Sequence, residues 1–100
     1  MRGYYICPDE DPCRCADLLA WGVWMENAAN RVVARDVVDG VTVSTVFLGL
    51  DHNWGGGPPI LWETMIFGGV HEGYCERYSS QETARAGHAK ALTLVREGEC

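Results

Sequence analysis

The residues with the most chemical promise lie in one Gly/Pro-rich stretch, LDHNWGGGPPILWETM at positions 50–65. His52, Asn53 and Trp54 lead into Gly55, Gly56 and Gly57, and two prolines follow. A phosphate-binding loop needs glycines that open a helix, because helix-start N–H groups and a lysine hold the phosphates. A dinucleotide fingerprint needs them at the strand-to-helix turn of a βαβ unit. Here the glycines run through two residues without an N–H into an apolar, strand-like segment. Both nucleotide readings fail on that context. Two others stand. One is a strand connection stiffened by its prolines, with glycines supplying positive φ. The other is a display loop in which His52, Asn53, Trp54, Gly55, Gly56 and Gly57 meet a partner, since amphipathic side chains on loop tips build binding hot spots. The loop is therefore the partner-binding candidate, with Trp54 expected outside.

Five cysteines form the next group: Cys7, Cys13, Cys15, Cys75 and Cys100. Structural zinc favours C-x2–4-C pairs, and C-x5-C-x-C departs from that spacing. His71 and Cys75 lie near each other but in a different part of the chain. An odd count also makes a poor disulfide framework, so reduced thiols are the expectation. No G-x-S-x-G motif surrounds a serine, no Cys–His signature is present, and H-x-E with P-C-x-x-C is missing. The reading assigns no catalytic residue, no metal ligand and no cofactor. Asp36 is the oddest placement, an acid on an apolar strand face that reads either as a perturbed acid in a pocket or, equally, as the partner of a helix N-terminus or an Arg. His88 lies on an apolar helix stripe, where a hydrogen-bonded core histidine is the commoner case.

Several elements must position these residues. Asp11 and Pro12 suggest the cap and first turn of a helix, with Leu18, Trp21, Met25 and Ala28 on one face and Trp24 beside it. Trp21 and Trp24 are read as core, and Gly22 as a point of close packing. Asn27 or Asn30 ends the helix. Asp39–Gly40 between two β-branched runs is a strong hairpin signal. Its register pairs Val38 with Val41, Asp36 with Val43, Ala34 with Thr45 and Val32 with Phe47. That face is apolar apart from Asp36 and Thr45. A third strand spans 60–69 with Trp62 inward, and a short fourth spans 74–78. Ser79 and Glu82 have capping-box spacing, opening a last helix with Ala84, His88, Ala91, Leu92 and Val95 on one side. The order predicts an α+β, two-layer domain: an antiparallel four-stranded meander with an N-terminal and a C-terminal helix, α-β-β-β-β-α. One hundred residues make one domain, with 1–11 read as an irregular leading segment.

Fourteen acids against eight bases give a formal charge of −6, and no basic cluster supports docking on nucleic acid. No apolar run is long enough to span a bilayer, and MRGYYICPDEDPC lacks the apolar core of a secretion signal. The expectation is a soluble protein that stays in the cytoplasm.

The run VSTVFLGLDHNWGGGPPILWETMIFGG, followed by ERYSSQETARAGHAKALTLV, resembles a widespread family of small phage and prophage proteins. The likeness covers roughly positions 16–96 and carries no catalytic motif. It implies the cytoplasm of a bacterial host and a non-enzymatic protein that occupies a host protein. Inhibitors of bacterial immunity such as anti-CRISPR proteins, acting on an immune effector complex, are the class implied. Sequestration of a nucleotide signal, or a structural or housekeeping role in the phage, are the alternatives.

Overall fold

A computed structural model describes residues 3–7, 12–53 and 55–98. Trp54 and Asp11 lie outside the described residues, and so does Cys100. The chain forms β1 (Tyr5–Ile6), β2 (Cys13–Arg14), α1 (Leu18–Glu26), α2 (Ala28–Arg31), β3 (Val32–Val38), β4 (Val41–Phe47), β5 (Trp62–Phe67), β6 (Cys75–Tyr78) and α3 (Gln81–Gly98). The expected α+β architecture is present, with a helix before and after a four-stranded antiparallel meander ordered β3-β4-β5-β6. A small β1-β2 hairpin is added to it.

The β3-β4 turn falls at Asp39 and Gly40, whose φ values of 48° and 81° are the two positive values a tight hairpin requires. Val38 pairs with Val41, Asp36 with Val43 and Ala34 with Thr45, as the sequence predicts. The expected Val32–Phe47 pair does not form. A bulge between Val32 and Ala34 inserts Val33, and Val32 pairs with Val46 instead. One extra residue flips the strand end, so Val32 is exposed while Val33 packs towards the core.

The N-terminal helix begins later than Asp11–Pro12 predicts. Cys13–Arg14 is tied up as a strand against Tyr5–Ile6. Asp17 is the working cap, its Oδ1 accepting from the N–H of Leu19 at 3.0 Å and of Ala20 at 3.2 Å. Asn27 then ends α1 and caps α2, accepting from the N–H of Ala29 at 3.0 Å. At α3 the cap is Ser80, one residue beyond the expected Ser79. Ser80 Oγ accepts from the Thr83 N–H at 3.1 Å and meets the Thr83 hydroxyl at 2.7 Å.

α3 lies across one face of the meander. Gly87 allows the closest approach, because a Cβ there would run into the Tyr78 phenol. Two apolar clusters fill the space between helix and sheet. One joins Val41, Val43, Ile66, Ala91 and Val95, and the other Phe47, Leu61, Trp62 and Ala84. Trp62 is inward, as predicted, with its ring 5.4 Å from that of Phe47. Between the clusters runs a layer that is not apolar at all: Thr45, Thr64 and His88, all buried.

Candidate functional site

The polar layer is a chain of hydrogen bonds. His88, from the middle of α3, brings Nε2 to 2.7 Å from Asp36 Oδ2 on β3 and Nδ1 to 2.7 Å from Thr45 Oγ1 on β4. Thr45 Oγ1 lies 2.5 Å from Thr64 Oγ1 on β5. A carboxylate only accepts, so Nε2 carries the proton donated to Asp36. In a neutral imidazole Nδ1 then accepts from the Thr45 hydroxyl, and Thr45 accepts from Thr64. The Tyr78 phenol lies beside this end. Burial, the largest influence, holds its pKa above the ordinary value, and Thr64 acts in the opposite direction.

Carboxylate, imidazole and hydroxyl in this order are the parts of a nucleophilic triad. Accessibility is reversed from what such chemistry needs. The Asp36 side chain is 51% exposed, whereas Thr45, in the nucleophile's place, is 0% exposed. An electrophile has no route to the hydroxyl. What the arrangement does is join β3, β4, β5 and α3 through directional bonds, which fix how the helix lies over the sheet. The sequence contained its parts, since Asp36, Thr45 and His88 were each polar residues on apolar faces. Thr64 was missed, and so was their convergence. Asp36 finds a histidine, not the helix N-terminus or arginine that charge alone suggests.

The expected display loop follows β4. Its base is pinned by Asp51, whose Oδ1 accepts from the N–H of Asn53 at 2.8 Å and of Ile60 at 2.9 Å. Asn53 spans the interior, donating from Nδ2 to the Pro58 carbonyl at 2.7 Å and accepting from the Gly55 N–H at 3.0 Å. His52 donates from Nδ1 to the Leu50 carbonyl at 2.6 Å. Gly55, Gly56 and Gly57 are exposed, and the last two have φ of 83° and 96°. His52 and Asn53 are thus half-buried brackets of the loop, and the glycines form its tip. Asp51 was missed; the D-x-N spacing of an Asx turn was the available signal.

α1 carries an exposed surface that includes Leu18, which the sequence reading placed inside. The predicted inner stripe of Leu18, Trp21, Met25 and Ala28 does not form, because Leu18 and Ala28 are exposed. The helix is anchored instead by Trp21, Trp24 and Met25, each half-buried. Trp21 Nε1 donates to the Gly49 carbonyl at 2.9 Å, its ring meets Tyr4 at 4.8 Å, and Trp24 meets Phe47 at 5.6 Å. Leu18, Leu19 and Val23 are left 57%, 83% and 70% exposed, and no residue of α1 is buried. Leu19, Val23 and Trp24 line an open groove that ends at Asp17, Asn27 and Asn30. Because Gly49 leads directly into Leu50 and Asp51, helix and loop stand at the same end of the sheet.

Among the described residues Cys13, Cys15 and Cys75 are free thiols, and Cys7 Sγ lies 3.7 Å from Gln81 Oε1. Among the described residues no three His, Cys, Asp or Glu side chains gather as a metal site would require. Cys75 Sγ lies 3.4 Å from Glu63 Oε2, which also accepts from Arg77 Nε at 2.9 Å. Burial and then the Glu63 carboxylate raise the Cys75 pKa, so this thiol stays protonated. No helix among the described residues is long and apolar enough to cross a membrane. Comparison with protein-family models, curated proteins and solved structures returns no match to this chain.

Proposed function

We propose that this chain is a non-enzymatic binding protein that acts by occupying the surface of another protein, with α1 as its principal contact. The observation that carries this reading is the apolar helix whose Leu18, Leu19 and Val23 face solvent. A helix apolar all round is normally buried, and exposed apolar patches rimmed by polar residues mark docking sites. Leu19 and Val23 are one turn apart, the spacing with which a helix presents anchors to a groove. Asp17 and Glu26 stand at the two ends of the helix, so the partner groove is apolar with a basic rim. The adjoining loop of His52, Asn53 and Gly55–Gly57 supplies a second contact.

The phage-type resemblance makes the partner a host protein in the bacterial cytoplasm, and an immune effector complex the first to test, in the manner of an anti-CRISPR protein. The gene expressed alone in an immune-competent host should restore phage plating. Leu19→Glu with Val23→Glu should abolish that protection while leaving the melting temperature within a few degrees, because both side chains are exposed. Truncating two such anchors costs about 2 kcal/mol or more of binding, at least thirtyfold in affinity. Full protection by the double variant would refute α1 as the contact. A wild-type gene that protects against nothing would refute the immune target.

A further inference from the structure

The face of the meander turned away from α3 carries two cross-strand rows, Val37–Thr42–Phe67 and Arg35–Ser44–Met65. Residues directly opposite share a face, and these rows alternate with Asp36, Val43 and Ile66 on the α3 side. None of the six is buried, and Val37 and Phe67 are 57% and 49% exposed. The Arg35 guanidinium is exposed and has no partner among the described residues. α1 offers the complementary chemistry. Leu19, Val23 and Glu26 follow one another at steps of four and three, so they share one helix face, and all three are exposed. Glu26 is the last residue of α1, at the negative end of the helix dipole, where an acid is disfavoured. Its carboxylate also has no partner among the described residues.

We propose that a second copy of this chain docks the Leu19–Val23–Glu26 face of its α1 on this open sheet face, with Glu26 against Arg35 and the apolar pair against Val37 and Phe67. Charge complementarity selects the occupant, because an unpaired acid borders the apolar helix face and an unpaired base borders the apolar sheet face. The spacings agree. Leu19 to Glu26 spans about 10.5 Å along a helix. Arg35 to Phe67, two strands across and two residues along, is about 12 Å, and the long Glu and Arg side chains cover the difference. A helix laid on a sheet face is also an ordinary layer packing. Two features keep the contact weak: a nine-residue helix covers little area, and two chains of charge −6 repel until salt screens them. The surfaces are different, so the contact is heterologous. It shares α1 with the reading above but does not rest on a host partner, and a host protein and a second copy would exclude one another from the same helix.

The test is sedimentation equilibrium of the whole chain at physiological ionic strength, over a concentration series reaching about the millimolar range, where weak contacts form. The average mass should rise with concentration above the 11.0 kDa of one chain. Glu26→Arg and Arg35→Glu should each weaken association by about tenfold or more, because each sets like charges against one another. The two reversals combined should restore it to within about threefold of the wild type, since the pair is remade with its signs exchanged. Both residues are exposed, so the variants should fold, and Glu26→Arg should if anything raise the melting temperature by suiting the helix end. A wild type that stays at the mass of one chain throughout overturns the proposal and leaves the host-binding reading untouched. Association that Glu26→Arg leaves unchanged overturns α1 as the occupant. Failure of the combined reversal to recover overturns the Glu26–Arg35 contact.

Discussion

His88 is where the fold concentrates its polar risk. Its imidazole is buried and bonded at both nitrogens, on one side to a half-exposed Asp36 and on the other to a sealed Thr45. The two sides should differ in energy. Asp36→Ala removes an acceptor that water can replace, and should cost no more than about 1 kcal/mol. Thr45→Val keeps the shape but leaves His88 Nδ1 and the Thr64 hydroxyl without their bonds, at about 1–3 kcal/mol. Replacing Thr45 and Thr64 by Val and His88 by Leu together should cost less than the sum of the three single changes, because no member is left stranded. Urea denaturation of the set checks this; strict additivity would show that the bonds do not act as a chain. A second expectation concerns alkali. Burial raises the Tyr74, Cys75 and Tyr78 pKa values above the ordinary 10.0, 9.0 and 10.0. Between the unfolded and folded values the unfolded chain releases protons that the fold retains, so stability falls as pH rises. The loss should begin near pH 9 and continue above 10, and a melting temperature that climbs over that interval would contradict it. Asp36, Thr45 and His88 were individually legible in the sequence. Their meeting was not, because residue periodicity says which face a side chain is on and not how a helix is set down upon a sheet.

At the scale of elements, two glycines in helices have opposite roles. A Cβ on Gly22 of α1 meets nothing within 4 Å, whereas one on Gly87 of α3 collides with Tyr78. The close packing expected at Gly22 is therefore absent among the described residues. Gly22→Ala should stabilise the protein by about 0.5–1 kcal/mol, the helix penalty of glycine. Gly87→Ala should destabilise it by about 1–3 kcal/mol, since Tyr78 must leave its place. Gly22 follows Leu18 and Leu19 by four and three residues and so shares their face. If that face docks a partner, Gly22→Ala should weaken binding while raising the melting temperature. A variant that gains in both would place the contact elsewhere. The hairpin could be read from Asp39–Gly40 because that dipeptide determines backbone geometry locally. The start and orientation of α1 could not. Pro12 looks like a first helical residue, yet a two-residue strand pairing overrides it, and such a short pairing leaves no pattern. In the same way, LLAWGVWME is apolar on every side, so no periodicity says which side is covered.

For the whole molecule, what matters is an acidic chain that carries the exposed apolar residues Leu18, Leu19 and Val23 on one helix. The charge of −6 acts over a range set by the Debye length, about 8 Å at physiological ionic strength. If α1 docks a basic partner as proposed, the charge should steer approach more than it strengthens the finished contact, whereas Leu18, Leu19 and Val23, once desolvated, should govern departure. These contributions separate in kinetics. Raising salt from about 0.05 to about 0.5 M should slow association with the captured partner by an order of magnitude or more, leaving dissociation nearly unchanged. Leu19→Ala and Val23→Ala should do the reverse, speeding dissociation with little effect on association. Surface plasmon resonance over a salt series measures both rates. Dissociation that accelerates steeply with salt would mean that buried ion pairs hold the complex, and α1 would then lose its place as the anchor. Association indifferent to salt would mean that the acidic surface faces away from the partner, leaving the apolar helix to find its groove by diffusion alone.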